Sequence, residues 1–254
     1  AMRDAHFGLD PSWTFINHGA FGAACSVGTA AATAWRQHAE RQPLQFIDRE
    51  LFAHLVESQR VVAEWIGASP AETVLMPNAT SGLNAVIASV VDNLEEGDEV
   101  LFCDVGYGSV ARMIGRACRR SGARPVEVPI AADLPESAAV STILERVASS
   151  LTTRTRIAIF DDVTSNHALA MPLAALCALC REQGVLTLVD GAHSPGSRPD
   201  SRLPYLAYAD LVCPLRGSNP GLALDSPWTR LASCLCSLLH CSTAPLLHCS
   251  LPAA

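Results

Sequence analysis

The 254 residues are 49% hydrophobic and 17% charged, enough to bury one large core and too apolar for a disordered chain. The formal net charge is −7 and Arg119-Arg120 is the only adjacent basic pair, which argues against a nucleic-acid or anionic-membrane partner. All 18 basic residues are arginine; the sequence contains no lysine.

Residues 1–25 form an N-terminal segment rich in turn residues, including Asn17-His18-Gly19 and Gly22. From 26 to 67, Trp35, Phe46, Phe52, Leu55, Val62 and Trp65 recur at spacings suited to amphipathic helices, broken at Pro43 and closed by Gly67. Val74-Leu75-Met76 reads as a short buried strand, and Asn78-Ala79-Thr80-Ser81-Gly82 opens a helix to about 91. Strands follow at 99–103, 126–128, 156–160 and 185–189, with helices over 108–121, 137–150 and from Pro172 to Gly184. Alternation of continuous apolar strands with helices predicts an α/β fold: a mainly parallel sheet with helices on both faces. In such sheets ligand groups collect beyond the carboxyl ends of the strands, where Asn78, Tyr107, Ser165 and Asp190 fall.

Residues 26–212 are expected to form one large domain. After about 212 the composition changes: the last 24 residues carry no charge, and Leu238-Leu239-His240-Cys241-Ser242 recurs as Leu246-Leu247-His248-Cys249-Ser250. Residues 213–254 therefore read as a low-complexity tail, non-native or disordered, with no standard zinc-ligand spacing. Of ten cysteines, Cys25, Cys103, Cys118, Cys177 and Cys180 lie in helix- or strand-like runs and read as small buried hydrophobes of a reducing compartment. The expected location is the cytoplasm, with an incomplete N-terminus.

Three stretches carry the chemistry: Asn17-His18-Gly19, Asn78-Ala79-Thr80-Ser81-Gly82, and Val189-Asp190-Gly191-Ala192-His193. In this order they resemble the class V aminotransferase family of pyridoxal-phosphate (PLP) enzymes, in particular the branch with isopenicillin N epimerase-like proteins, C–S lyases and cysteine desulfurases. The resemblance implies PLP as cofactor and an amino acid, or a sulfur-containing derivative of one, as small-molecule substrate. The reaction would be epimerisation, C–S cleavage or desulfuration, in a possible homodimer.

Residue by residue, Asp190 matches the carboxylate that pairs with the pyridine nitrogen and keeps the ring an electron sink. His193 matches a contact of the ring hydroxyl region. Ala79 and Thr80 match the phosphate-binding turn, for which a helix N-terminus with a hydroxyl is suited. Thr80 also suits a plain N-cap. Tyr107 matches the aromatic that stacks on the ring, and Ser165 the polar neighbour of its phenolic oxygen. Asn17, His18 and Gly19 match a turn on the substrate side. These residues are expected at one cleft.

The resemblance fails after Leu211-Val212. There the family carries the lysine that holds the cofactor covalently and shuttles the substrate proton; this chain reads Cys213-Pro214-Leu215-Arg216-Gly217-Ser218. Arg216 cannot replace it, because a guanidinium stays protonated and does not condense with an aldehyde. The family's C-terminal small domain has no counterpart either. The expectation is a PLP-type large domain, catalytically crippled as written; a retained intron or frameshift near 212 would produce such a break. The alternative is a non-catalytic homologue serving as a binding domain. A dinucleotide-binding domain is disfavoured, since no Gly-x-Gly-x-x-Gly follows any expected strand.

Overall fold

In the computed structural model the described residues are 2–18, 22–91, 93–194 and 234–235. Gly19 and the tail, apart from Cys234 and Leu235, lie outside them. The amino-terminal region is helical: α1 (Met2–His6), α2 (Ser26–Arg41), a turn at Pro43–Gln45 and a π-helical turn at Phe46–Glu50 lead into α3 (Leu51–Ile66). Gly67 ends α3 with φ +80°, a left-handed conformation that L side chains rarely adopt.

Strand β1 (Val74–Leu75) precedes α4 (Ala79–Val91), β2 (Glu99–Cys103), α5 (Gly108–Ser121) and β3 (Arg124–Val128). Then come α6 (Val140–Ser150), β4 (Thr155–Asp161), α7 (Leu173–Glu182) and β5 (Leu186–Asp190). Four strands form a parallel sheet in the order β3-β2-β4-β5. Every residue of β2 is buried, and so is nearly every residue of β4, so both faces of the central strands are covered. Ile114 of α5, Ile143 and Val147 of α6 and Leu176, Cys177 and Cys180 of α7 are fully buried in the same core as Leu101, Ile157 and Leu188.

Several boundaries differ from the sequence reading. The third strand begins at Arg124 and includes Pro125, which its edge position tolerates because no outer ladder needs a proline N–H. The helix expected from 137 starts at Val140, after a separate 3-10 turn at Glu136–Ala138. Val74 and Leu75 are partly exposed instead of buried; they pair in parallel with β6 (Cys234–Leu235), outside the main sheet. Asp190 is the last residue of β5, not the first residue beyond it.

The amino ends of the strands carry a polar clamp. Glu99, only 2% exposed, accepts hydrogen bonds from the Thr152 and Thr155 hydroxyls and from Arg124. Burial pushes its carboxyl up, and the three bonds together outweigh that, leaving it below the ordinary range. Asp98 is paired with Arg156 at 3.0 Å.

Candidate functional site

The carboxyl ends of β2, β4 and β5 hold four of the candidate residues, Tyr107, Ser165, Asp190 and His193. β2 runs into a turn ending at Tyr107, which caps α5 and is 42% exposed. That turn and the end of β4 line a cavity of about 170 Å³ with Phe102, Gly106, Tyr107, Asp161, Thr164 and Met171 around it. The cavity is smaller than a typical ligand pocket and covers only the Tyr107 side of the strand ends.

One strand further across, Asp161 and Asp190 are register partners on adjacent parallel strands, so their side chains leave the same face. Both are buried, 8% and 4% exposed. Burial raises the Asp190 carboxyl above its ordinary range, opposed by the Ala192 N–H at 3.0 Å and by nearby His193. Asp161 is pushed up to about 8 by burial and by Asp190, against one hydrogen bond from the Tyr107 backbone N–H. Two carboxyls this close and this dry cannot both ionise cheaply.

After β4 the chain makes a small two-sided loop, with Val163 bridging Ala170 and the Thr164 hydroxyl accepting the Leu169 N–H at 3.0 Å. The fold of this loop leaves the Ser165 hydroxyl buried with no hydrogen-bond partner among the described residues. A buried hydroxyl is rarely left unmatched, so its orphaned state marks a place where a ligand atom fits.

Ala79 and Thr80 open α4, and Asn78 caps it by accepting the Ser81 N–H at 2.8 Å. The cap is therefore Asn78. Helix α4 packs along α5, the helix that starts beside Tyr107. Asn17 is exposed, while His18 sits between the rings of Phe7 and Phe15 at 5.7 and 4.7 Å. Those contacts keep His18 within the amino-terminal segment.

Sequence reading missed Asp161, Gly106 and Thr164. The available signal was Asp161 ending an apolar run just as Asp190 does; register was needed to see them as neighbours.

The family model for aminotransferase class V matches residues 38–201. The chain belongs to the class V aminotransferase family. Members of this family use PLP. Isopenicillin N epimerase of Streptomyces clavuligerus is 33% identical over 205 residues, covering 79% of this chain and 50% of that protein. Putative L-cysteine desulfhydrase 1 of Oryza sativa subsp. japonica is 33% identical over 196 residues, 72% and 40% of the two chains. A solved structure of the C–S lyase C-DES, a lysine-to-alanine mutant with glycine covalently linked to its PLP cofactor, is 25% identical. It superposes with a TM-score of 0.69 over 81% of this chain and 52% of that one. The chain thus spans about half the length of the relatives it matches. Within this class V chain no helix of the described residues is long and apolar enough to cross a membrane.

Proposed function

We propose that this chain is the cofactor-binding half of a PLP protein of the epimerase and C–S lyase branch, related by descent to enzymes acting on an amino acid or a sulfur-containing derivative. We propose further that the 254-residue chain binds PLP without a covalent bond and does not turn substrate over. The observation that carries the reading is Asp190: a carboxyl 4% exposed at the end of a parallel strand, raised by burial and, among the described residues, with only His193 as a nearby cation. A protonated pyridine nitrogen supplies the missing positive charge.

The residues present fit the cofactor in three further respects. The Ser165 hydroxyl lacks a partner among the described residues and, with His193, suits the phenolic oxygen. Tyr107 stands half-exposed at the rim and offers a ring face. Thr80, with Ala79, supplies an N–H and a hydroxyl at a helix N-terminus for a phosphate. Asn17, His18 and Gly19 belong on the substrate side. When bound, PLP supplies an electron sink for a carbanion; the chain's own residues orient the ring, hold its nitrogen protonated and exclude water from its buried edge.

What the fit lacks is an anchor, since none of the 254 residues is lysine. The same absence favours a second reading, a homologue that binds ligand or partner without catalysis. A homodimer is supported by large apolar side chains left exposed on the amino-terminal region, Trp13, Ile16 and Phe52 among them. A cytoplasmic setting is supported by five cysteines that are free among the described residues, four of them buried.

The test is titration of the chain with PLP by absorbance, followed by borohydride reduction and peptide mass mapping. Reversible, dialysable binding with no pyridoxylated peptide is expected; no binding, or an adduct on any internal residue, overturns the reading. Sequencing the transcript across codons 205–225 separates the two forms. A frame supplying lysine within roughly ten residues of Asp210 indicates an active parent enzyme, and no such frame indicates a true non-catalytic homologue.

A further inference from the structure

Asp161 has no ion-pair partner among the described residues, and the reading above gives it no role. What it touches is the turn that presents Tyr107. Its carboxyl accepts the Tyr107 backbone N–H. A Cβ placed on Gly106 would lie 3.2 Å from Asp161 Oδ1 and 3.1 Å from the Cys103 carbonyl. Those distances are tighter than ordinary contact, so a side chain at 106 would push on the Asp161 carboxyl, and glycine suits the close approach. Asp161 also lines the cavity at Tyr107, together with Thr164 and Met171.

Resting on the cofactor reading, we propose that Asp161 is a positioning residue: it clamps the Val105-Gly106-Tyr107 turn so that the tyrosine ring covers a bound PLP ring, leaving Asp190 alone to pair with the ring nitrogen. The division of labour follows from charge. One pyridinium needs one carboxylate, and a second ionised carboxyl on the next strand would face Asp190 in a site that burial has dried. Among the described residues the groups that act on Asp161 are Asp190 on β5, Cys103 on β2 and the Tyr107 N–H, and none of these is a cation. With its carboxyl pushed up to about 8, Asp161 is mostly neutral at pH 7, and a neutral carboxyl still has a carbonyl oxygen for the Tyr107 N–H. The acceptor, not the charge, does the positioning.

The experiment uses the full 254-residue chain and PLP, reading the dissociation constant and the induced circular dichroism of the bound chromophore at pH 7. Asp161→Leu is expected to lose most of the induced signal and to bind about tenfold more weakly. Asp161→Asn should retain both, since its amide oxygen accepts the same N–H, and that rescue is not expected of a residue that only fills space. Gly106→Ala should reproduce the leucine result without altering Asp161, and it decides the matter if Asp161→Leu fails to fold. Unchanged signals in Gly106→Ala and Asp161→Leu, or a loss in Asp161→Asn equal to that in Asp161→Leu, overturn the proposal while the cofactor reading stands. A wild-type chain that does not bind PLP overturns both.

Discussion

At the amino ends of the strands Glu99 is 2% exposed and takes hydrogen bonds from two hydroxyls and an arginine, with Asp98 and Arg156 beside it. At the carboxyl ends Asp161 and Asp190 are almost as deeply buried, yet among the described residues no arginine reaches either. The first pair of acids is lowered or matched by its partners; the second is raised by its surroundings. Burial alone does not distinguish a structural carboxylate from a ligand-seeking one. The distinction lies in whether the fold itself supplies the counter-charge.

Among the substitutions, the largest expected effect on stability lies at the satisfied end. Glu99→Ala removes the acceptor for the Thr152 and Thr155 hydroxyl protons and frees Arg124, so it should destabilise the chain by about 2 kcal/mol while leaving PLP affinity unchanged. Urea unfolding and PLP titration check the two halves of that statement.

Asp190→Asn should do the opposite. It keeps an acceptor for the Ala192 N–H and removes a buried charge, so the cofactor-free chain should be as stable as wild type or more so. PLP binding should weaken about tenfold, roughly 1.4 kcal/mol. A loss of stability equal to that of Glu99→Ala would erase the contrast between the two ends.

The pH dependence of stability follows from the same contrast. Asp161 titrates near 8 in the fold and near the ordinary carboxyl value when unfolded, so between about 4 and 8 the native state holds a proton that the unfolded state has released. Stability of the cofactor-free chain should therefore fall as pH rises through that window, by no more than about 1.4 kcal/mol per pH unit from this group, and then level off. Asp190, also raised, adds to the fall, whereas Glu99, lowered, contributes stability that is lost on the acid side. Asp161→Asn should flatten the neutral limb of a denaturation series and leave the acid limb unchanged.

Ser165→Ala should give the smallest effect. Removing a buried hydroxyl with no partner among the described residues should change the stability of the cofactor-free chain by less than about 0.5 kcal/mol. PLP affinity should drop a few-fold, measured by the same titration.

Much of this was legible in the residues. The periodicity of Glu99–Cys103 and Leu186–Asp190 marks buried strands because only an α/β sheet covered on both faces accepts such unbroken apolar runs. Asp190 stood out because a carboxyl at the end of such a run must find a use. β1 was less legible: a two-residue strand has no period, and its partly exposed setting depends on residues far along the chain.

The sequence by itself determined the family, the order of the elements, the residue types of the candidate site and the absence of a lysine. Only the tertiary structure decided that the sheet runs β3-β2-β4-β5, which makes Asp161 the neighbour of Asp190 and sets Gly106 against its carboxyl. The reason is physical. Periodicity reports which face of a strand is buried, but pairing between strands 29 residues apart, from 161 to 190, depends on how the intervening helix packs, and no local pattern encodes that.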